Sequence, residues 1–166
     1  MTDYHLLKEQ IKALADGERH FLPVLSNATA LLYEVLPDIN WAGFYFAESF
    51  LSGETAEEKK EETLILGPFQ GKAACMRLLP GRGVCQKAFS SDEALKVDDV
   101  HAFPGHIACD EASQSEIVIP LHRRTCPVGV LDIDAPVKSR FDERDLAGLR
   151  DLVWALEEQI LSYGMK

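Results

Sequence analysis

"SEIVIPLHRRTCPVGVLDIDAP", residues 115–136, contains two short runs in which aliphatic side chains recur at every second position. A spacing of two, in runs rich in β-branched residues, predicts strands at 115–122 and 127–136. In the first, Ile117, Ile119 and Leu121 share one face, leaving Glu116, Val118 and His122 on the other. In the second, Leu131 and Ile133 share a face, opposite Asp132 and Asp134. A solvated strand face would account for two carboxylates. Asp nevertheless disfavours strands, and two of them flanking one isoleucine tip the reading toward a site.

Working outward, "NWAGFYF" (40–46) is a third strand, because aromatics dominate a short run. Ala42, Phe44 and Phe46 alternate there with Trp41, Gly43 and Tyr45. "LILGPF" (64–69) and "ALKVDDV" (94–100) read as further strands, and "KAACMRLLP" (72–80) as another. "GRGVCQKAF" (81–89) is a glycine-rich turn that feeds a short helix. The charged stretch 47–63 reads as a long solvated hairpin connection. Leu6, Leu7, Ile11 and Leu14 have helical spacing, closed by Asp16-Gly17. A second helix runs from about 20 to 36, where Pro37 stops it. A last helix spans 142–161, opening on acidic residues that suit its N-terminus.

Terminal helices around five or six strands, without regular βα alternation, predict an α+β domain with a mainly antiparallel sheet. The helices are expected on one face of that sheet, in the order of a GAF- or PAS-like fold. No repeat or Pro/Gly/Ser-rich linker divides the chain, so 1–166 reads as one domain: a helical segment 2–36, sheet and loops 40–136, and the last helix. With the aliphatic faces toward the core, the other sheet face carries Trp41, Tyr45, Glu116, Asp132 and Asp134. An aromatic wall beside carboxylates suits a small cationic or zwitterionic ligand.

The chain has 166 residues, 46% of them apolar and 27% charged, which is ordinary for a globular domain. Its net charge of −10 argues against nucleic acid and anionic membranes as partners. Charges run through the first twenty residues, so no secretory signal is read there, and no apolar run approaches a membrane span. A cytoplasmic location is the expectation, and with it reduced thiols.

The four cysteines are then reactive, metal-binding or simply buried. Structural zinc sites bring ligands in close pairs. Cys75 and Cys85 stand ten apart and Cys109 follows twenty-four later, so none makes such a pair. His101, His106 and Cys109 supply at most half a site, and no metal is expected. A redox relay suits three thiols better. A thiolate that attacks an oxidised sulfur becomes a sulfenic acid, which a second thiol condenses to a disulfide. A third thiol passes that disulfide outward. Cys85, at a helix start beside Arg82, is placed to favour its thiolate. Cys126, at a strand entrance, reads as a small hydrophobe.

"NWAGFYF", "LGPFQGKAACMR", "GRGVC", "DVHAFPGHIACD", "SEIVIPL" and "GVLDIDAP" together resemble the signature blocks of the free methionine-(R)-sulfoxide reductases. These are GAF-fold enzymes that reduce the R epimer of methionine sulfoxide as a free amino acid. The resemblance implies Cys109 as nucleophile, Cys75 as the thiol that resolves its sulfenic acid, and Cys85 as an auxiliary thiol. It implies Glu116, Asp132 and Asp134 as carboxylates of the substrate site and Trp41 and Tyr45 as its aromatic wall. Glu116 with Asp134 would protonate the sulfoxide oxygen, and Asp132 would meet the substrate ammonium. It implies no bound cofactor, with thioredoxin and its NADPH-linked reductase as external reductant. A homodimer through the terminal helices would suit the apolar stripe of "LVWALEEQIL". The chain departs from the family at Gln86-Lys87, which follow the second cysteine, and in the length of 47–63. His101 and His106 receive no role.

The alternatives are a non-catalytic GAF module that senses a small molecule, and a zinc-dependent interaction protein using His101, His106 and Cys109. The first would keep the pocket without needing Cys75 and Cys109.

Overall fold

The computed structural model describes residues 2–53, 61–105 and 111–158. Its strands are β1 (Trp41–Ala47), β2 (Leu64–Gly71), β3 (Arg77–Leu78), β4 (Leu95–Val97), β5 (Ser115–Arg123) and β6 (Cys126–Ala135). They form one six-stranded sheet in the order β3-β2-β1-β6-β5-β4, with every neighbouring pair antiparallel. The helices are α1 (Tyr4–Ala15), α2 (Phe21–Val35), α3 (Glu48–Ser52), α4 (Val84–Ser91) and α5 (Glu143–Leu156). The α+β reading with its antiparallel sheet is what the chain forms.

The side-chain alternation read from the sequence sorts the two faces. Ala42, Phe44, Ile117, Leu121, Leu131 and Ile133 are buried on one of them. Phe21 meets Phe46 edge-on with ring centroids 5.8 Å apart, which seats α2 on this face. α1 packs against both α2 and α5, and α5 against β5, so the three long helices make one layer. Asp3 caps α1 by accepting from the Leu6 amide at 3.0 Å. Asp142 and Asp145 form a reciprocal capping box at the start of α5. α4 packs against β5 and β6, and its Cys85 reaches Glu116, on the opposite face.

Four local expectations change. The buried stripe of α1 is Leu7, Ile11 and Ala15, whereas Leu6 and Leu14 are exposed. A residue's face follows from the 100° step along the helix, which turns Ala15 inward and Leu14 outward. The strand expected over 72–80 contracts to Arg77–Leu78, so Cys75 sits in a loop. Segment 47–63 is not all solvated connection: α3 buries Phe50, which stacks on Phe46 at 5.5 Å. Residues 54–60 of that segment lie outside the described residues. The apolar stripe of the last helix faces the core through Leu152, Val153 and Leu156, leaving Trp154 exposed.

A register shift in the β5–β6 pairing between Leu121 and His122 separates His122 from the Glu116 face. Its backbone N–H and Nδ1 both meet Glu157 Oε1, at the end of α5, at 2.7 and 2.9 Å.

Candidate active site

Strand pairing alone brings the predicted carboxylates and aromatics together. Trp41 on β1 pairs with Asp134 on β6, and Asp134 in turn pairs with Glu116 on β5. One row below, Gly43 pairs with Asp132 and Asp132 with Val118. Trp41, Glu116, Asp132 and Asp134 line a cavity roofed by the start of α4, and Tyr45 and Cys85 join them there. Six of the eight predicted site residues therefore share one pocket. Cys75 lies beside it, half-buried, in the loop before β3. Cys109 lies outside the described residues, as does His106.

The wall is a stack of three rings. Trp41 lies 5.9 Å from Tyr45 and 5.4 Å from Phe69, both near parallel. Gly43 makes that stack possible, because a Cβ there would sit 2.4 Å from the Trp41 ring and 2.5 Å from Phe69 Cβ. The β1–β2 pairing shifts register just after Gly43, the kind of irregularity that re-aims side chains at a site. Trp41 Nε1 donates to the Lys72 carbonyl at 3.2 Å, and Tyr45 Oη donates to the Cys75 carbonyl at 2.9 Å. The wall thus grips both ends of the Lys72–Cys75 loop.

The floor is acidic and closed. Glu116 and Asp132 are buried, and Cys85 Sγ donates to Glu116 Oε1 at 3.8 Å. Burial pushes the Glu116 carboxyl well above its usual range, and the charges of Asp132 and Asp134 push it further. Burial also raises Asp132, to about 6, against the lowering effect of contacts with Cys85 and Glu116. Burial and the two neighbouring aspartates thus favour the protonated form of Glu116. Asp132 Oδ1 is buried without a hydrogen-bond partner among the described residues.

Cys85 overturns an expectation. It is a buried helix residue, and its thiol is pushed up by burial first and then by the Asp132 and Glu116 charges. Burial, helped by the neighbouring carboxyl groups, outweighs the helix start, and Arg82 is exposed. The group is held as a thiol, not favoured as a thiolate.

Several contributors escaped the sequence reading. Asn40 Nδ2 donates to the buried Ser113 Oγ at 3.1 Å, and the Asn40 amide donates to the Asp134 carbonyl at 3.0 Å. Ser113 lines the pocket, although one serine in a polar run carries no sequence signal. Phe69 was legible only as a strand residue. Gln86, noted as a departure, is a buried clip whose Nε2 donates to the Leu78 and Glu62 carbonyls at 2.7 and 2.8 Å. Lys87 is exposed. Neither disturbs the pocket.

The stretch that precedes β5 is tied on both sides. The Gly83 amide, in the left-handed turn before α4, donates to the Gly105 carbonyl at 3.0 Å. Val100 donates to Gln114 at 2.9 Å and Gln114 to Ala135 at 2.8 Å. His101 is exposed on a single 3-10 turn. Among the described residues, one set of potential metal ligands converges: Cys85, Glu116 and Asp132, with donor atoms within 4.8 Å of one another.

The GAF domain family matches residues 14–159. The chain is 48% identical over 163 residues to the free methionine-R-sulfoxide reductase of Escherichia coli (strain K12), covering 98% of this chain and 92% of that one. It superposes with a TM-score of 0.84 on fRMsr of Staphylococcus aureus in complex with substrate, at 44% identity, covering 96% of this chain and 97% of that one. It superposes with a TM-score of 0.85 on the free methionine-R-sulfoxide reductase of Neisseria meningitidis in complex with its substrate, at 36% identity over 96% of this chain and 89% of that one.

Proposed function

The chain belongs to the free methionine-R-sulfoxide reductases of the GAF family, and we propose how its residues divide the reduction of the free R sulfoxide to methionine. The observation that carries the reading is the buried Glu116 carboxyl beside an Asp132 oxygen that has no hydrogen-bond partner among the described residues, closed in by an aromatic stack.

A zwitterionic substrate supplies the donor that Asp132 Oδ1 lacks among the described residues. Its ammonium donates to Asp132 Oδ1, which stabilises the ionised form of that carboxylate. Its methyl group lies against the Trp41 ring. Methionine within a polypeptide, with an uncharged amide in place of the ammonium, is rejected because a buried carboxylate would then stay unpaired.

Glu116, kept protonated by burial and by its Asp132 and Asp134 neighbours, donates to the sulfoxide oxygen. The Cys109 thiolate attacks the sulfur, the S–O bond breaks, and the oxygen ends on Cys109 as a sulfenic acid while methionine leaves. Two electrons pass from the thiolate to the substrate sulfur. Cys75 then attacks the sulfenic sulfur, releasing water and forming a Cys75–Cys109 disulfide. Cys109 is four residues from Gly105, so at most ~14 Å of extended chain separates them, and Gly105 is bonded to the pocket residue Gly83. Tyr45, through the Cys75 carbonyl, is the positioning residue for the second thiol.

Thiol–disulfide exchange with thioredoxin, itself reduced by NADPH, returns the enzyme to its starting state. Cys85, buried and protonated, acts only as an auxiliary thiol once the pocket has opened. No helix among the described residues is long and apolar enough to cross a membrane, and a reducing cytoplasm suits this cycle. The whole chain works as one domain, and a homodimer would use the exposed Trp154 side of α5.

The test uses the reduced protein with thioredoxin, its reductase and NADPH. Consumption of NADPH with the free R epimer alone, abolished in Cys109→Ser, is the expected result. Equal rates with the S epimer, or an active Cys109→Ser variant, would sink the assignment. Cys75→Ser should release one equivalent of methionine and then stall; a wild-type steady-state rate removes it from the resolving role.

A further inference from the structure

The pocket holds a donor set in which the reduction gives one member, the Cys85 thiol, no direct part. Cys85, Glu116 and Asp132 are 5%, 5% and 6% exposed, their donor atoms lie within 4.8 Å of one another, and Cys85 Sγ stands 3.8 Å from Glu116 Oε1. A tetrahedral zinc ion, with bonds of about 2.3 Å to sulfur and about 2.0 Å to oxygen, holds such ligands roughly 3.5 Å apart. Small side-chain rotations close that difference. Independently, Asp132 lines the cavity, and its buried Oδ1 has no hydrogen-bond partner among the described residues. A buried carboxylate oxygen without a donor is costly until a cation arrives.

We propose that Cys85, Glu116 and Asp132 form a three-ligand site for one thiophilic divalent cation, with Zn2+ as the biological candidate. The fourth coordination position opens toward the Trp41 side of the pocket. The ion is an inhibitor rather than a cofactor, a consequence that rests on the sulfoxide reading above. It takes the Asp132 oxygen that the substrate ammonium needs and displaces the proton that Glu116 donates. Binding breaks the Cys85 S–H bond, forms a metal–sulfur bond and releases the thiol and Glu116 protons to solvent. No electrons are exchanged, so chelation restores the pocket. Two hard carboxylates and one thiol suit Zn2+ or Cd2+ and give Mg2+ and Ca2+ no advantage from the sulfur.

A protein carrying Cys75→Ser, Cys109→Ser and Cys126→Ser keeps Cys85 as its one thiol and can be titrated with Cd2+. A thiolate-to-metal charge-transfer band that saturates at one equivalent is expected. Adding Cys85→Ser should remove the band. Adding Asp132→Asn, which preserves shape, should weaken binding by at least the ~10–100-fold that losing even an outer-shell partner costs. Glu116→Gln provides the second ligand test, with circular dichroism confirming that each variant is folded. No band in the Cys85-only protein, or unchanged affinity in both carboxylate variants, overturns the site.

For inhibition, the single-turnover rate of methionine formation by the reduced wild-type protein is followed against sulfoxide concentration. Zn2+ should raise the half-saturating concentration and leave the plateau unchanged, and chelation should reverse it. A lowered plateau overturns the exclusion. The Cd2+ titration needs no substrate, so a protein that binds Cd2+ but reduces no sulfoxide breaks the reductase reading alone.

Discussion

The two ends of β5 each gather a pair of carboxylates around one titratable side chain, with opposite results. At the pocket end, Glu116 is buried among Asp132, Asp134 and the Cys85 thiol. At the far end, His122 lies between Asp92 Oδ1 at 2.6 Å and Glu157 Oε1 at 2.9 Å. Both groups hold their protons more tightly than usual, but for opposite reasons. Glu116 does so because its charged form is disfavoured by burial and like charge. His122 is raised to about 9 because its charged form is favoured by two anionic partners, against a partial cost of burial. The His122 end ties the end of α4 to the end of α5 and is stabilising. The Glu116 end buries two carboxyl groups, Glu116 and Asp132, side by side, which is costly, and such cost gathers at sites of chemistry.

The largest expected effect that could break this contrast is on turnover. Glu116→Gln removes the donated proton and keeps the shape, so the rate of methionine formation should fall on the order of 10²–10⁴-fold. The wild-type rate should decline as pH rises through the raised Glu116 pKa, and the variant should lose that limb. For stability, the sign is fixed by the same shift. The native state holds this proton above the ordinary carboxylate pKa, so the Glu116 contribution is present at low pH and lost as pH rises through the raised value. Glu116→Gln should therefore gain relative stability as pH increases, measured by urea unfolding. A variant that keeps more than about a tenth of the rate would remove Glu116 from the acid role.

His122→Asn should leave turnover untouched and destabilise the fold. The paired imidazolium is fully present below the ordinary value of 6.5 and is lost as pH rises through about 9. The variant should lose about 1–2 kcal/mol below that window, after discounting for a half-exposed ring. The deficit should vanish above it. A stability loss that does not change with pH would mean that packing, not charge, holds this corner.

The contrast also explains what could be read from the sequence. Strand alternation placed Trp41, Tyr45, Glu116, Asp132 and Asp134 on one face, because the period of two needs no tertiary information. It failed at His122, where a register shift breaks that period. The sign of the Cys85 shift was equally out of reach. A helix start and Arg82 are visible along the chain, whereas the burial that outweighs them, and the carboxylates that add to it from β5 and β6, are not. Gln86 looked like a change beside a relay thiol; only the folded chain shows its amide closing over the Leu78 and Glu62 carbonyls. The tertiary partners of Asn40 and Ser113 belong to the same class.

The smallest effect separates the two partners of His122. Asp92 makes the shorter contact, yet its side chain is 48% exposed against 18% for Glu157. Glu157 also accepts from the His122 backbone amide at 2.7 Å, so one carboxylate satisfies two donors. Water screens Asp92 more strongly, and Asp92→Asn should cost only ~0.2–1 kcal/mol. The backbone does not complicate this comparison: Asp92 ends α4 in the left-handed region at φ 55°, which Asn tolerates equally well. Glu157→Gln replaces a charge-assisted bond in a drier place and should cost about 1.5–2 kcal/mol. Titrating the His122 ring by proton NMR orders the two directly. The His122 pKa should fall further in Glu157→Gln than in Asp92→Asn; the reverse order would make distance, rather than solvent exclusion, the quantity that decides the strength of this corner.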